Sequence, residues 1–176
     1  MVSRADVGSS SFFLGKARAG FTFIEVMIVV AVISLLASMA VYNLLRARLT
    51  ANEAAVMGNQ RTLIGALEMY RGSNGAYPDD WQGQLYETAE PDYGPPAFNL
   101  EMDDSELQGY LYTYAGQPGG CAGDCSGYTL SGIPATLGIT GSRAFFVDQT
   151  GVIRHCRGAG PADVTDPPMH LAPIDC

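Results

Sequence analysis

The sequence is poor in basic charge, and almost none of that charge is lysine. Lys16 is the single lysine, and 10 Lys+Arg face 18 Asp+Glu, a formal net charge of −8. Nucleic-acid binding needs a basic face, and a polybasic hold on an anionic membrane needs clustered cations. The balance argues against both. Histidine is limited to His155 and His170. Neither belongs to an H-E-x-x-H helix, and the chain has no G-x-S-x-G elbow and no P-loop. Gly158 and Gly160 do not open a dinucleotide turn, since Pro161 follows and no strand–helix–strand unit surrounds them. No enzyme class and no cofactor is indicated. The 47% hydrophobic content is too high for a disordered chain, and 176 residues are enough for one domain with a moderate core.

Two further absences organise the chain. From Val26 to Leu45 there is no Asp, Glu, Lys, Arg or His, and Glu25 is the one such residue between Phe21 and Leu45. Twenty residues at about 1.5 Å each reach about 30 Å, the thickness of a bilayer core. From Phe21 to Tyr77 there is no Pro. One continuous helix is therefore expected from 21 to about 71, on the order of 75 Å long, with Gly58 and Gly65 as weak points of up to about 1 kcal/mol each. Its second half carries Arg46, Arg48, Glu53, Arg61, Glu68 and Arg71, while Val56, Leu63, Leu67 and Tyr70 recur on one face. The first half reads as a membrane segment and the second as a face packed on a globular domain.

Charge sets the orientation. Arg4, Lys16 and Arg18 against Asp6 make residues 1–20 a +2 leader, so residues 21–176 carry −10. A basic side before an apolar span and an acidic side after it reads as a cytoplasmic N-terminus with the remainder exported. The helix is expected to stop at the breaker cluster Gly72-Ser73-Asn74-Gly75. Residues 79–108 are acidic and loop-rich, with a short helical turn expected at 103–107. From Gly109 the period becomes two. Tyr110, Tyr112 and Tyr114 lie in one strand and residues 128–130 in a second, while 143–147 and 152–154 flank a four-residue hairpin loop, 148–151. The Tyr-rich strand reads either as an exposed adhesive face or as core plus cross-strand pairing, the commoner case. The tail from Gly158 to Cys176 reads as irregular. The fold class is α+β, a long N-terminal helix packed on a small antiparallel sheet.

The stretch Gly20-Phe21-Thr22-Phe23-Ile24-Glu25 and the apolar run after it resemble the N-terminus of type IV pilins and type II secretion pseudopilins. The family pattern is a basic leader, a Gly, Phe-Thr-Leu-Ile/Leu-Glu and an apolar helix, so Phe23 is a mild departure. Tyr70 and Asn74-Gly75-Ala76-Tyr77-Pro78 resemble, more weakly, the end-of-helix pattern of major pilins and G-type pseudopilins. The resemblance covers roughly the first 80 residues. It implies cleavage by a prepilin peptidase between Gly20 and Phe21, N-methylation of Phe21, and neutralisation of a neighbouring subunit's Phe21 amine by Glu25. Physics supports that last role, since a carboxylate costs about 2.5–3.5 kcal/mol at a membrane centre and less near its edge; the plainer reading leaves Glu25 at headgroup level. Many pilins carry a Gly and a Pro where this chain has Ser34 and Tyr42, so local melting of the helix on assembly is not indicated.

In an exported domain the even count of Cys121, Cys125, Cys156 and Cys176 reads as disulfides. Three pairings are possible. Proximity favours Cys121–Cys125 and Cys156–Cys176, the second contributing about 3 kcal/mol by loop entropy. A metal site is the weaker reading, because C-x3-C with two distant Cys is a poor ligand set. The acid pairs Asp79-Asp80 and Asp103-Asp104 could take calcium, as G-type pseudopilins do. They lack EF-hand spacing, and such pairs are mostly solvated.

The sequence thus describes a leader (1–20), a transmembrane and assembly half-helix (21–45) and an extracytoplasmic globular domain (46–176). The expected protein is a filament subunit that polymerises with identical copies. Its partners would be a prepilin peptidase, an inner-membrane assembly platform and, before assembly, membrane lipid. It would start in the inner membrane and end in an extracellular or periplasmic filament. Pilus and secretion pseudopilus stay open, with a slight lean to the pilus. The reading from another class is an exported soluble binding domain released by a signal peptidase after Ser38-Met39-Ala40, leaving Val41 as its first residue.

Overall fold

The computed structural model describes residues 20–88, 90–102, 105–158 and 160–176. The basic leader and the Asp103-Asp104 pair lie outside them. Helix α1 runs Phe23–Asn74, 52 residues without interruption. Two local devices set its ends. Thr22 is the N-cap: its hydroxyl accepts from the Glu25 amide at 3.3 Å, and the Glu25 carboxylate lies 3.5 Å from the Thr22 amide. This is the reciprocal capping box of the T-x-x-E type, a signal present in the sequence and unused in reading it. At the other end Gly75 takes a φ of +85° and donates to the Arg71 carbonyl at 2.7 Å, while the Asn74 amide group covers the Tyr70 carbonyl. That left-handed closure carries the helix three residues beyond the expected end.

The chain divides into two compact units, Met1–Ala40 and Val41–Cys176. In the first, every described side chain is exposed. The helix is long and apolar enough to cross a membrane, with a mean hydropathy of 2.6 over its most apolar window. Ser34 and Ser38 return their hydroxyls to the Val30 and Leu35 carbonyls, so neither presents an unmet donor to lipid.

In the second unit α1 buries one stripe: Glu53, Val56, Gln60, Leu63, Ala66, Leu67 and Tyr70. It lies on a six-stranded sheet in sequential order, β1 (Ser105–Leu107), β2 (Tyr110–Gln117), β3 (Gly127–Pro134), β4 (Arg143–Asp148), β5 (Arg154–Arg157) and β6 (Ile174–Asp175). All neighbours are antiparallel except β5 and β6. The stripe meets Tyr110, Tyr112, Tyr128, Leu130, Phe145 and Val147, and the connection after the helix adds Trp81, Leu85, Tyr86 and Phe98. Each fully buried Leu contributes about 1.5–3 kcal/mol.

Three expectations change and one open alternative closes. Ser105–Leu107 is a strand and not a helical turn, because Gln108 and Gly109 both adopt positive φ (54° and 78°) and fold it back onto β2 as a two-residue hairpin. Gln at the first of these positions hides the signal that Asn or Asp would give. The 148–151 loop extends to Ile153. Asp148 belongs to β4, where it pairs with Thr129, and its carboxylate folds the turn by accepting from the Thr150 amide at 2.9 Å. Ile153 meanwhile gives its carbonyl to Met169 of the tail, so β5 begins only at Arg154. The tail is not wholly irregular, since it supplies β6. Finally, Tyr110 and Tyr112 are fully buried and Tyr114 is half-buried, which removes the adhesive face. Burial pushes the Tyr112 phenol up to about 12, against a smaller opposing bond from Asn59.

Gln60 sits at the centre of the stripe, fully buried, with neither amide atom hydrogen-bonded by the protein. An unpartnered buried amide costs about 1–3 kcal/mol. Gln60→Met keeps the length and removes the polar atoms. It is expected to raise the unfolding free energy by about 1–2 kcal/mol in denaturant titration.

Candidate functional site

The first candidate site is the helix entrance. Gly20 and Phe21 precede the N-cap and are exposed, Phe21 at 83%. The Gly20–Phe21 bond therefore lies outside the helical hydrogen-bond ladder, and a peptidase can take it in extended form without unwinding α1. Cleavage there would leave an amine one residue before the N-cap. A cation is disfavoured at a helix N-terminus, whose dipole carries about half a positive charge. The nearest carboxylate on the same helix is Glu25 in the first turn. Its bond to the Thr22 amide is long, at 3.5 Å, and it is solvent-exposed, so it is only weakly committed to its own helix.

The second carboxylate buried or placed by α1 has the opposite fate. Glu53 is 5% exposed. One oxygen accepts from the Ser142 amide at 2.9 Å and its hydroxyl at 2.7 Å. The other accepts from the Arg143 guanidinium at 2.9 and 2.6 Å. Arg143 reaches on to His155 Nδ1 at 3.3 Å, and His155 Nε2 lies 3.1 Å from the Leu171 carbonyl. Both nitrogens of this buried imidazole have a polar neighbour, and the ring packs within the sheet. Burial alone would raise the Glu53 carboxyl. The bonds from Ser142 and Arg143 outweigh it and hold the group below its ordinary value. This cluster ties the helix to the start of β4, and reading the sequence missed it: Glu53 looked like one more charge on the polar face. The signal available was its position three residues before Val56, on the stripe.

The cysteines pair as Cys121–Cys125 and Cys156–Cys176, with Cα separations of 5.1 and 5.0 Å. The second links β5 to the residue after β6, so the structure holds the C-terminal tail to the sheet. Asp79 and Asp80 are exposed and share an open cleft with Glu101 and Trp81. Among the described residues no three His, Cys, Asp or Glu gather as a metal site. His170 is exposed beside Met169.

Because the Glu53 pair forms with a lowered carboxyl, its stabilisation is complete above the ordinary value of 4.5 and is lost as pH falls through the lowered one. Glu53→Gln is expected to cost about 3 kcal/mol at neutral pH. It should also flatten the acid limb of stability against pH, both read by denaturant unfolding across pH 2–7.

Comparison with known proteins completes the description. The family model for the prokaryotic N-terminal methylation motif matches residues 15–41. The type II secretion system core protein G of Klebsiella pneumoniae is 36% identical over 84 residues, 48% of this chain and 60% of that protein. The protein of the same name from Pseudomonas aeruginosa is 31% identical over 96 residues, 54% and 64%. That from Escherichia coli is 32% identical over 103 residues, 58% and 68%. The chain thus spans about 60% of the length of the first of these relatives. No solved structure matches it.

Proposed function

Because the chain belongs to the family of the type II secretion system core protein G, we propose that it is a structural subunit of a pilin-like filament, with no catalytic role. The observation that carries this is the methylation-motif match over residues 15–41, on a stretch where Gly20 and Phe21 precede the capped start of a continuous helix. In this reading residues 1–20 are a leader removed by a prepilin peptidase. Phe21 becomes the methylated N-terminus, residues 21–45 serve first as membrane anchor and then as filament core, and 46–176 form the exported domain. The shared name of the relatives favours a secretion pseudopilus over an extracellular pilus as the filament's type. The two disulfides suit an oxidising, extracytoplasmic compartment. The exported binding domain is disfavoured by the helix itself, since a cut after Ala40 would fall in the middle of α1.

Assembly follows from the exposed apolar half. Side chains from Phe23 to Leu45 are covered by lipid before assembly and by the same segments of other copies after it. The charge of Glu25 is tolerated at the membrane edge and is matched in the filament by a neighbour's Phe21 amine. The inner-membrane platform would supply the work of extraction.

Intact mass of the mature protein is expected to correspond to a chain beginning at methylated Phe21; a Val41 start would overturn the reading. Glu25→Ala is expected to be processed and inserted normally but to lose most filament assembly, scored by shearing and imaging.

A further inference from the structure

The segment joining β3 to β4 is unusual in an acidic domain. From Ala135 to Ser142 it contains no Asp, Glu, Lys, Arg or His, and the uncharged run extends back through β3 to Ser126. At its tip Leu137 and Ile139 are 50% and 66% exposed, on either side of Gly138 with a φ of +80°. Single exposed apolar residues need no explanation. Ile139 is not isolated: with Gly138 it shares a cleft of about 320 Å³ with Tyr42, Leu45, Arg46 and Leu49. Tyr42 and Leu45 are the last turn of the apolar run, within the same compact unit as the loop, so the loop tip continues the apolar surface of the helix where that surface ends.

The loop's backbone points the same way. The Thr136 amide donates to the Thr140 hydroxyl at 3.0 Å, and the Gly138 amide to the Gly141 carbonyl at 2.8 Å. The Ile139 and Thr140 amides both donate to the Thr136 carbonyl, at 3.1 and 2.9 Å. Asn52 on α1 covers the Thr140 carbonyl at 2.9 Å. With these groups closed internally, the tip can approach the edge of a bilayer without carrying those unmet backbone donors into it. Arg46 stands at the rim with its guanidinium 5.6 Å over the Tyr42 ring, and Arg157 shares the adjoining cleft with it. Tyrosine and arginine just past an apolar span are interfacial anchors, the ring at headgroup level and the cation on lipid phosphate.

We propose that the Leu137–Ile139 tip is a second membrane contact, seated in the outer surface of the bilayer beside the emerging helix while the subunit is stored before assembly. Arg46 and Arg157 meet the phosphates above it. This rests on the reading of the apolar half-helix as a membrane span. The contact would fix the tilt of the stored subunit against the bilayer, and with it the face each subunit presents.

The test places the full-length chain in phosphatidylcholine vesicles brominated near the top of the acyl chains. Trp81 is the one native Trp and is buried, so it supplies a constant background. Ile139→Trp is expected to lose much of its added emission, because an indole at headgroup depth sits close to these bromines. Val32→Trp, inside the span, should be quenched too. Val152→Trp should keep its emission, since it lies beside Arg61, about 24 Å further along the helix from Leu45. An unquenched Ile139→Trp with a quenched Val32→Trp overturns the loop contact alone. An unquenched Val32→Trp overturns the span reading as well. Equal quenching of Val152→Trp overturns the assignment to the loop. A blue shift of Ile139→Trp without quenching, lost on dilution into excess lipid, identifies a second copy as the occupant and overturns the lipid contact.

Discussion

The burial of the stripe Val56, Leu63, Leu67 and Tyr70 against the sheet is the contact on which the rest of the molecule depends. α1 holds its domain through its second half, because its first half is apolar and exposed throughout. The sheet is equally dependent, since β2, β3 and β4 carry their aromatic face toward that stripe. At 25 cal/mol per Å², a few large side chains such as Tyr110, Tyr128 and Phe145 outweigh any surface ion pair here. The polar tie at Glu53 then fixes where along the helix the sheet docks: Ser142 and Arg143 can meet that carboxylate in one register only.

The same helix handles two carboxylates in opposite ways. Glu53 is enclosed and receives four hydrogen bonds from the domain. Glu25 caps its own helix loosely and faces outward. The first is satisfied within the subunit and adds specificity to its fold. The second keeps most of its capacity for a partner outside the subunit. The proposed filament subunit would use both kinds, one to be complete as a domain and one to be incomplete as a monomer.

Much of this was legible in the sequence, for physical reasons that differ by element. The helix and its stripe were clear because an unbroken run without Pro and a three-to-four residue period have few other readings. The sheet's central strands were clear from the alternation at Tyr110–Tyr114 and the apolar run at 143–147. The β1 turn was hidden because Gln108 adopts a backbone conformation that its side chain does not advertise. The boundary of β5 was hidden because it is set by Met169, sixteen residues beyond Ile153, and long-range pairing leaves no local mark. At the helix entrance the residues were all recognised, but their capping geometry was not. The sequence motif points to Glu25 as a partner for a neighbouring subunit, while the bonds between Thr22 and Glu25 are visible only in the structure.

The continuity of α1 has a mechanical consequence. Ser34 and Tyr42 occupy positions where a Gly or Pro would let the backbone unwind, and Ser34 instead returns its hydroxyl to the helix. In the proposed filament such a helix would have no built-in spring. Under tension it would transmit force without lengthening, and any give would come from subunits slipping past one another. Such a filament would be stiff while its lateral contacts hold and would fail abruptly when they part, which suits a piston better than an elastic tether.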